Sequence, residues 1–146
     1  MRVFVFGTLM DADVRRVVLG RDLPSAQIEE AVIDDFRRVH VAGRSYPLLL
    51  PHASGWVDGL LIHNLDAEAV RRLLVYEGDE YHLVPLVVSD LRGHLVRAAV
   101  FMGRREVAAD RRIWSLDLWR RRHKRSFLRR AGDLMEHYGT QALLRQ

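Results

Sequence analysis

Residues 3–10 read VFVFGTLM, an apolar, β-branched and aromatic run that stops abruptly at Gly7-Thr8 and turns at once into a helix-like segment. The run predicts a buried strand over residues 2–6. Asp11 is then a candidate N-cap, Val14, Val17 and Val18 set a helical apolar spacing, and Gly20 is a stop. Strand, small residues, helix is an arrangement that builds sites. A residue without a Cβ lets a ligand approach the backbone, and amides freed at a strand end can point at an anion or a carbonyl oxygen.

Outward from this stretch the chain alternates between strand and helix patterns. Ala26 to Val41 is β-leaning, with Asp34-Asp35 read as a hairpin turn, and GWVDGLLIH (55–63) reads as another strand. Between them lies SYPLLLP (45–51), an extended piece bracketed by prolines. Asp66 is a candidate cap for a helix through Ala69, Val70, Leu73 and Leu74 that ends near Tyr76, before Glu77-Gly78. His82–Val88 and Leu95–Met102 read as a hairpin around Asp90, Arg92 and Gly93. After Gly103 a long helical pattern places Trp119, His123, Phe127, Ala131, Leu134, Met135 and Tyr138 near one face, with arginines on the other. The expected architecture is a single α+β domain over residues 1–146, about six strands and three helices, with a mixed sheet or small barrel. Its core spans about residues 1–103, and residues 104–146 form an amphipathic C-terminal extension.

Composition narrows the chemistry. The 146 residues contain no cysteine, which excludes disulfides and thiolate metal sites. The seven histidines, at 40, 52, 63, 82, 94, 123 and 137, show no metal-ligand spacing, so no metal is expected. GRSYP (43–47) misses a nucleophile elbow because Pro47 stands where the second glycine belongs, and Ser45 reads as a loop hydroxyl. No phosphate-binding loop or dinucleotide fingerprint is present. No leader precedes the first strand and no apolar run approaches the roughly 20 residues of a membrane span, so a soluble cytoplasmic protein without membrane contact is expected.

The net charge of +4 is unevenly placed. Residues 111–130 hold nine Lys and Arg against Asp117 alone, a local +8 that leaves −4 for the rest. Such a segment could bind nucleic acid or an anionic surface. A wet helix face whose other side packs on the domain is the preferred reading.

The second informative stretch is LLVYEGDEYHLV (73–84). Glu77 stands at a helix end between Tyr76 and Tyr81, with apolar runs on both sides. Partial desolvation there would raise its pKa and make it a better general base near neutral pH; from spacing alone, a solvated helix-terminal acid is the preferred reading. Glu80 is a nearby competitor.

Together, FGTL (6–9), Tyr46-Pro47, the Gly55-x-Val57-x-Gly59 pattern and YEGDEY (76–81) resemble the gamma-glutamylcyclotransferase family, in its avirulence-induced-gene-like subgroup. The resemblance covers roughly residues 1–103. It implies a mixed β-barrel flanked by helices and release of 5-oxoproline from a gamma-glutamyl small molecule without a cofactor. It further implies that Val5, Phe6, Gly7, Thr8, Leu9 and Met10 hold the gamma-glutamyl group through backbone amides, with Tyr81 alongside and Glu77 as general base. Phe6, Leu74 and Leu83 depart from the family's usual Tyr, Asp and Arg. These departures leave the substrate open, with a non-catalytic small-acid scaffold as an alternative, and a homodimer is open as well.

Overall fold

The computed structural model describes residues 1–145. Strand β1 (Val3–Val5) is buried throughout because both of its faces are covered. Phe4, with Phe6 just beyond the strand, joins a cluster fed by all five barrel strands, while Val3 and Val5 belong to the core shared with the helices.

β1 pairs in parallel with β5 (Leu95–Gly103) and antiparallel with β3 (Pro47–Ile62). From β5 the sheet continues through β4 (Tyr81–Asp90) to β2 (Ile28–Val41), and β2 pairs back onto β3. That last pairing closes a five-stranded mixed barrel. β6 (Ala109–Ile113) adds outside it, on the far end of β2 at Val39–Val41. Gly59 shows why the barrel tolerates only glycine at one crossing: a Cβ there would stand 2.4 Å from the Val5 carbonyl oxygen and 2.6 Å from the Phe4 ring.

Four helices flank the barrel. Asp11 caps α1 (Ala12–Leu19) by accepting from the Asp13 and Val14 amides, and Gly20 ends it at φ 76°. Asp66 caps α2 (Ala67–Glu77) through the Ala69 amide. α3 (Leu116–Arg122) and α4 (Lys124–Leu144) follow β6, and α4 packs on α1 and α2.

Two expectations need correction and one is extended. Asp34-Asp35 is no hairpin turn: β2 runs through it as a bulge, with Asp35 at φ 68°, opposite an excursion of β3 between Pro51 and Trp56. The proline-bracketed piece is the first part of β3, since Pro47 to Pro51 pair with His40 to Phe36. The single C-terminal helix is instead a strand and two helices broken at His123. Trp114, 1% exposed and donating its indole N–H to the Ser45 carbonyl at 2.7 Å, anchors the change of direction. Helical periodicity could not reveal this, because Arg111 and Arg112 satisfy a polar helix face and an outer strand equally well.

Candidate active site

Beyond β1 the chain passes Phe6 and Gly7 into one 3-10 turn, Thr8–Met10. Five consecutive carbonyls there are held by internal donors. Arg38 Nη1 donates to Phe6 at 2.8 Å, the Met10 and Asp11 amides to Gly7 and Thr8 at 2.9 and 3.0 Å, and Arg15 Nη1 to Leu9 and Met10 at 2.9 and 2.8 Å. The amides of Gly7, Thr8 and Leu9 find no acceptor among the described residues. A turn whose acceptors are spent and whose donors are free presents partial positive charge. Gly7 has its own reason for lacking a side chain: a Cβ would stand 2.9 Å from the Pro47 ring, so the space goes to Pro47 and not to a ligand.

Free donors matter because the loop borders a cavity of about 300 Å³. Val5, Phe6, Gly7, Thr8 and Leu9 line one side, and Glu77 and Tyr81 line another. Met10 is not on the wall; its Sδ lies 3.7 Å from Arg38 Nη1, behind the loop. Tyr46, Pro47, Tyr76, Glu80 and Phe101 are also in the lining, with Phe127 and Leu134 contributed by α4.

Glu77 is the last residue of α2, and Gly78 at φ 68° turns the chain away immediately after it. Loss of water around the carboxyl pushes it up from 4.5 to about 8, and no hydrogen bond to a described residue offsets that burial. Glu80, three residues on, differs: its carboxylate accepts a hydrogen bond from the Tyr46 hydroxyl. Burial, with Glu80 beside it, pushes Tyr46 up to about 12. Burial likewise holds Tyr76 and Tyr81 above the usual phenol range. Tyr76 is hydrogen-bonded to Thr8 Oγ1, and Tyr81 donates to the Pro47 carbonyl at 2.7 Å. These three hydroxyls therefore stay protonated near neutrality while Glu77 titrates there.

The C-terminal extension is tied to this loop. Asp11, 1% exposed, receives Arg120 Nε at 2.8 Å and Lys124 Nζ at 3.0 Å; Lys124 also reaches Asp13 at 2.7 Å. Burial alone would raise the Asp11 carboxyl, but hydrogen bonds from Arg120, Lys124 and the Val14 amide overcome it and leave the pKa lowered. Arg15, Arg38 and Phe127 are the site residues that sequence reasoning missed. Nothing in their local pattern distinguishes them from other surface arginines or a packed helix aromatic. Among the described residues no group of His, Asp or Glu is arranged to hold a metal, and no helix is long and apolar enough to cross a membrane.

A closed mixed barrel with flanking helices is the gamma-glutamylcyclotransferase-like architecture. A solved gamma-glutamyl cyclotransferase superposes with TM-score 0.57 over 75% of this chain and 69% of that one, at 9% identity, a likeness of fold alone. The solution structure of At5g39720.1 from Arabidopsis thaliana reaches TM-score 0.65 at 28% identity, covering 94% of this chain and 91% of that one. AIG2-like protein A of Arabidopsis thaliana is 29% identical over 136 residues, 92% of this chain and 81% of that one. The family model described as "Gamma-glutamyl cyclotransferase, AIG2-like" matches residues 3–121, and the chain belongs to that family.

Proposed function

We propose that the protein cyclises a gamma-glutamyl compound, releasing 5-oxoproline and a free amine, with Glu77 as the proton carrier. The observation that carries this reading is the carboxyl of Glu77, raised to about 8 by burial, on the same small cavity as the unpaired amides of the Gly7–Leu9 turn.

The substrate's α-ammonium group must lose a proton before its nitrogen can attack the γ-carbonyl carbon. A base near 8 is close to an α-ammonium, at roughly 8, so the transfer is nearly balanced. As the new C–N bond forms, the carbonyl oxygen gains negative charge, which the amides of the turn would stabilise. The bond to the leaving amine then breaks as Glu77 returns the proton to that nitrogen, and the second proton, shed by the ring nitrogen once the new bond has formed, ends on the released amine as its ammonium form. No water is consumed and no electron acceptor is needed. Both reacting groups belong to one molecule, so folding it within the cavity supplies proximity worth several kcal/mol.

Purified protein incubated with gamma-glutamyl amino acids, gamma-glutamyl amines and glutathione is expected to release 5-oxoproline from at least one of them. The Glu77→Gln protein is expected to release none, since an amide of nearly the same shape cannot accept the proton. An active Gln variant removes Glu77 from the role of base; an inactive but folded wild type removes the reading.

A further inference from the structure

A second cavity, of about 670 Å³, shares Tyr46 and Phe127 as wall residues with the first. Its aromatic lining includes Trp114 and Trp119, whose rings lie 6.5 Å apart, and Phe127 meets Trp119 edge to face at 5.2 Å. The indole N–H of Trp119, a residue only 2% exposed, has no acceptor among the described residues. Arg44, Arg112, Arg122 and Arg130 stand around this lining, joined by His40 and His123, and no Asp or Glu borders the cavity. Two of the arginines are engaged: Arg112 with Asp110 at 2.8 Å, and Arg130 over the Phe127 ring at 5.6 Å. Arg44 and Arg122 are exposed and pair with no carboxylate among the described residues.

We infer that this second cavity is the subsite for the leaving amine and that it selects donors in which that amine carries a carboxylate. The inference rests on the cyclotransferase reading. Tyr46 and Phe127, whose rings meet edge-on at 6.5 Å, stand between the two cavities, so a donor with its gamma-glutamyl part in the first cavity can carry its remainder past that ring pair into the second. What it meets there is the guanidinium of Arg122, with no carboxylate partner among the described residues, and that of Arg44, which lies against the Tyr46 hydroxyl; guanidinium is the partner a carboxylate takes bidentately. Arg122, His123, Phe127 and Arg130 lie beyond residue 121, where the match to the family model ends. The subsite is therefore built partly by this chain's C-terminal helices.

The test compares gamma-glutamyl-phenylalanine with its C-terminal amide, two donors that differ in one charge. Trp56 is 66% exposed and is the third of three tryptophans, so Trp56→Phe leaves fluorescence reporting on Trp114 and Trp119. In the Trp56→Phe, Glu77→Gln protein the acid is expected to bind about tenfold or more tightly than the amide, the size of a charge-assisted hydrogen bond. Adding Arg44→Gln and Arg122→Gln, both at exposed positions, is expected to shrink that ratio below about threefold. With Glu77 intact, kcat/KM for 5-oxoproline release follows the same ratio. Acid and amide that bind equally overturn the subsite, even where both are turned over. Absence of 5-oxoproline from both donors and from the wider panel of gamma-glutamyl amino acids, gamma-glutamyl amines and glutathione instead overturns the cyclotransferase reading, while the titration still decides whether the cavity takes the carboxylate.

Discussion

Replacing Glu77 by Gln is expected to abolish turnover and, at the same time, to stabilise the fold above about pH 5. The carboxyl stands at about 8 in the folded protein against an ordinary 4.5. A raised carboxyl favours the protonated form on folding. The wild type therefore has its full stability below about 4.5 and loses it progressively as pH rises toward 8. Each decade corresponds to about 1.4 kcal/mol, so the loss has an upper bound of about 3 kcal/mol at pH 7 and about 5 kcal/mol above pH 8. Contact with the solvent of the cavity reduces these figures, and a difference of about 2 kcal/mol near pH 8 is expected. Gln keeps the shape and does not ionise, so its stability advantage should be near zero at pH 4.5 and grow with pH. Urea unfolding of both proteins at pH 4.5, 7 and 8.5 measures this directly. The same group predicts that wild-type kcat/KM rises with pH and levels near 8. An advantage that does not depend on pH would show that Glu77 is not desolvated and would remove the basis for its role.

Three further changes test the supports of the site. Asp11→Asn leaves Arg120 and Lys124 without their buried partner and should cost about 2–4 kcal/mol. Because the Asp11 carboxyl is lowered, its stabilisation is present above about 3.8 and is lost as pH falls through the lower folded value. An acid-unfolding step in the wild type that persists unchanged in the variant would refute the assignment. Gly59→Ala drives a Cβ against the Val5 carbonyl at 2.4 Å and should cost about 3 kcal/mol; an unchanged urea midpoint would contradict the close crossing of β1 and β3. Tyr76→Phe removes the hydrogen bond to Thr8 and should lower kcat/KM about fivefold by loosening the turn. Unaltered kcat/KM would mean that the turn is positioned by Arg15 and Arg38 alone.

Periodicity and caps made most of the barrel legible, because each element's local chemistry agreed with its place in the fold. Asp11, Gly20, Asp66 and Gly78 punctuate the helices where their side chains or φ angles require. What escaped were features set by distant partners. The bulge at Asp35 depends on an excursion of β3, and β6 depends on the free end of β2. At the site, the stretch from Val5 to Leu9, Glu77 and Tyr81 were all visible as motifs, yet their convergence on one cavity is a tertiary fact. Arg15 and Arg38 were invisible because holding a carbonyl from behind leaves no pattern in sequence. Met10 lay within the motif but serves the back of the loop, since a one-turn helix cannot present every residue to one side.

The fold divides the charge of the basic segment among several partners. Read as one run, its nine cations suggest a polyanion surface. In the fold they separate: Arg120 and Lys124 converge on the buried Asp11, Arg112 is held by Asp110, and Arg122 borders the second cavity unpaired. A cation committed to a buried carboxylate cannot be recruited by a phosphate without leaving that carboxylate uncompensated, at a cost of several kcal/mol. Arg111, Arg121, Arg122, Arg125, Arg129 and Arg130 pair with no carboxylate among the described residues, so the counterion release open to nucleic acid is reduced by the three committed cations and not removed. Arg120 and Lys124 bear on the site, because Asp11 is the residue at which the amide-bearing turn becomes α1. Through that contact the C-terminal helices hold the loop from outside the barrel while Phe127 walls the cavity from within.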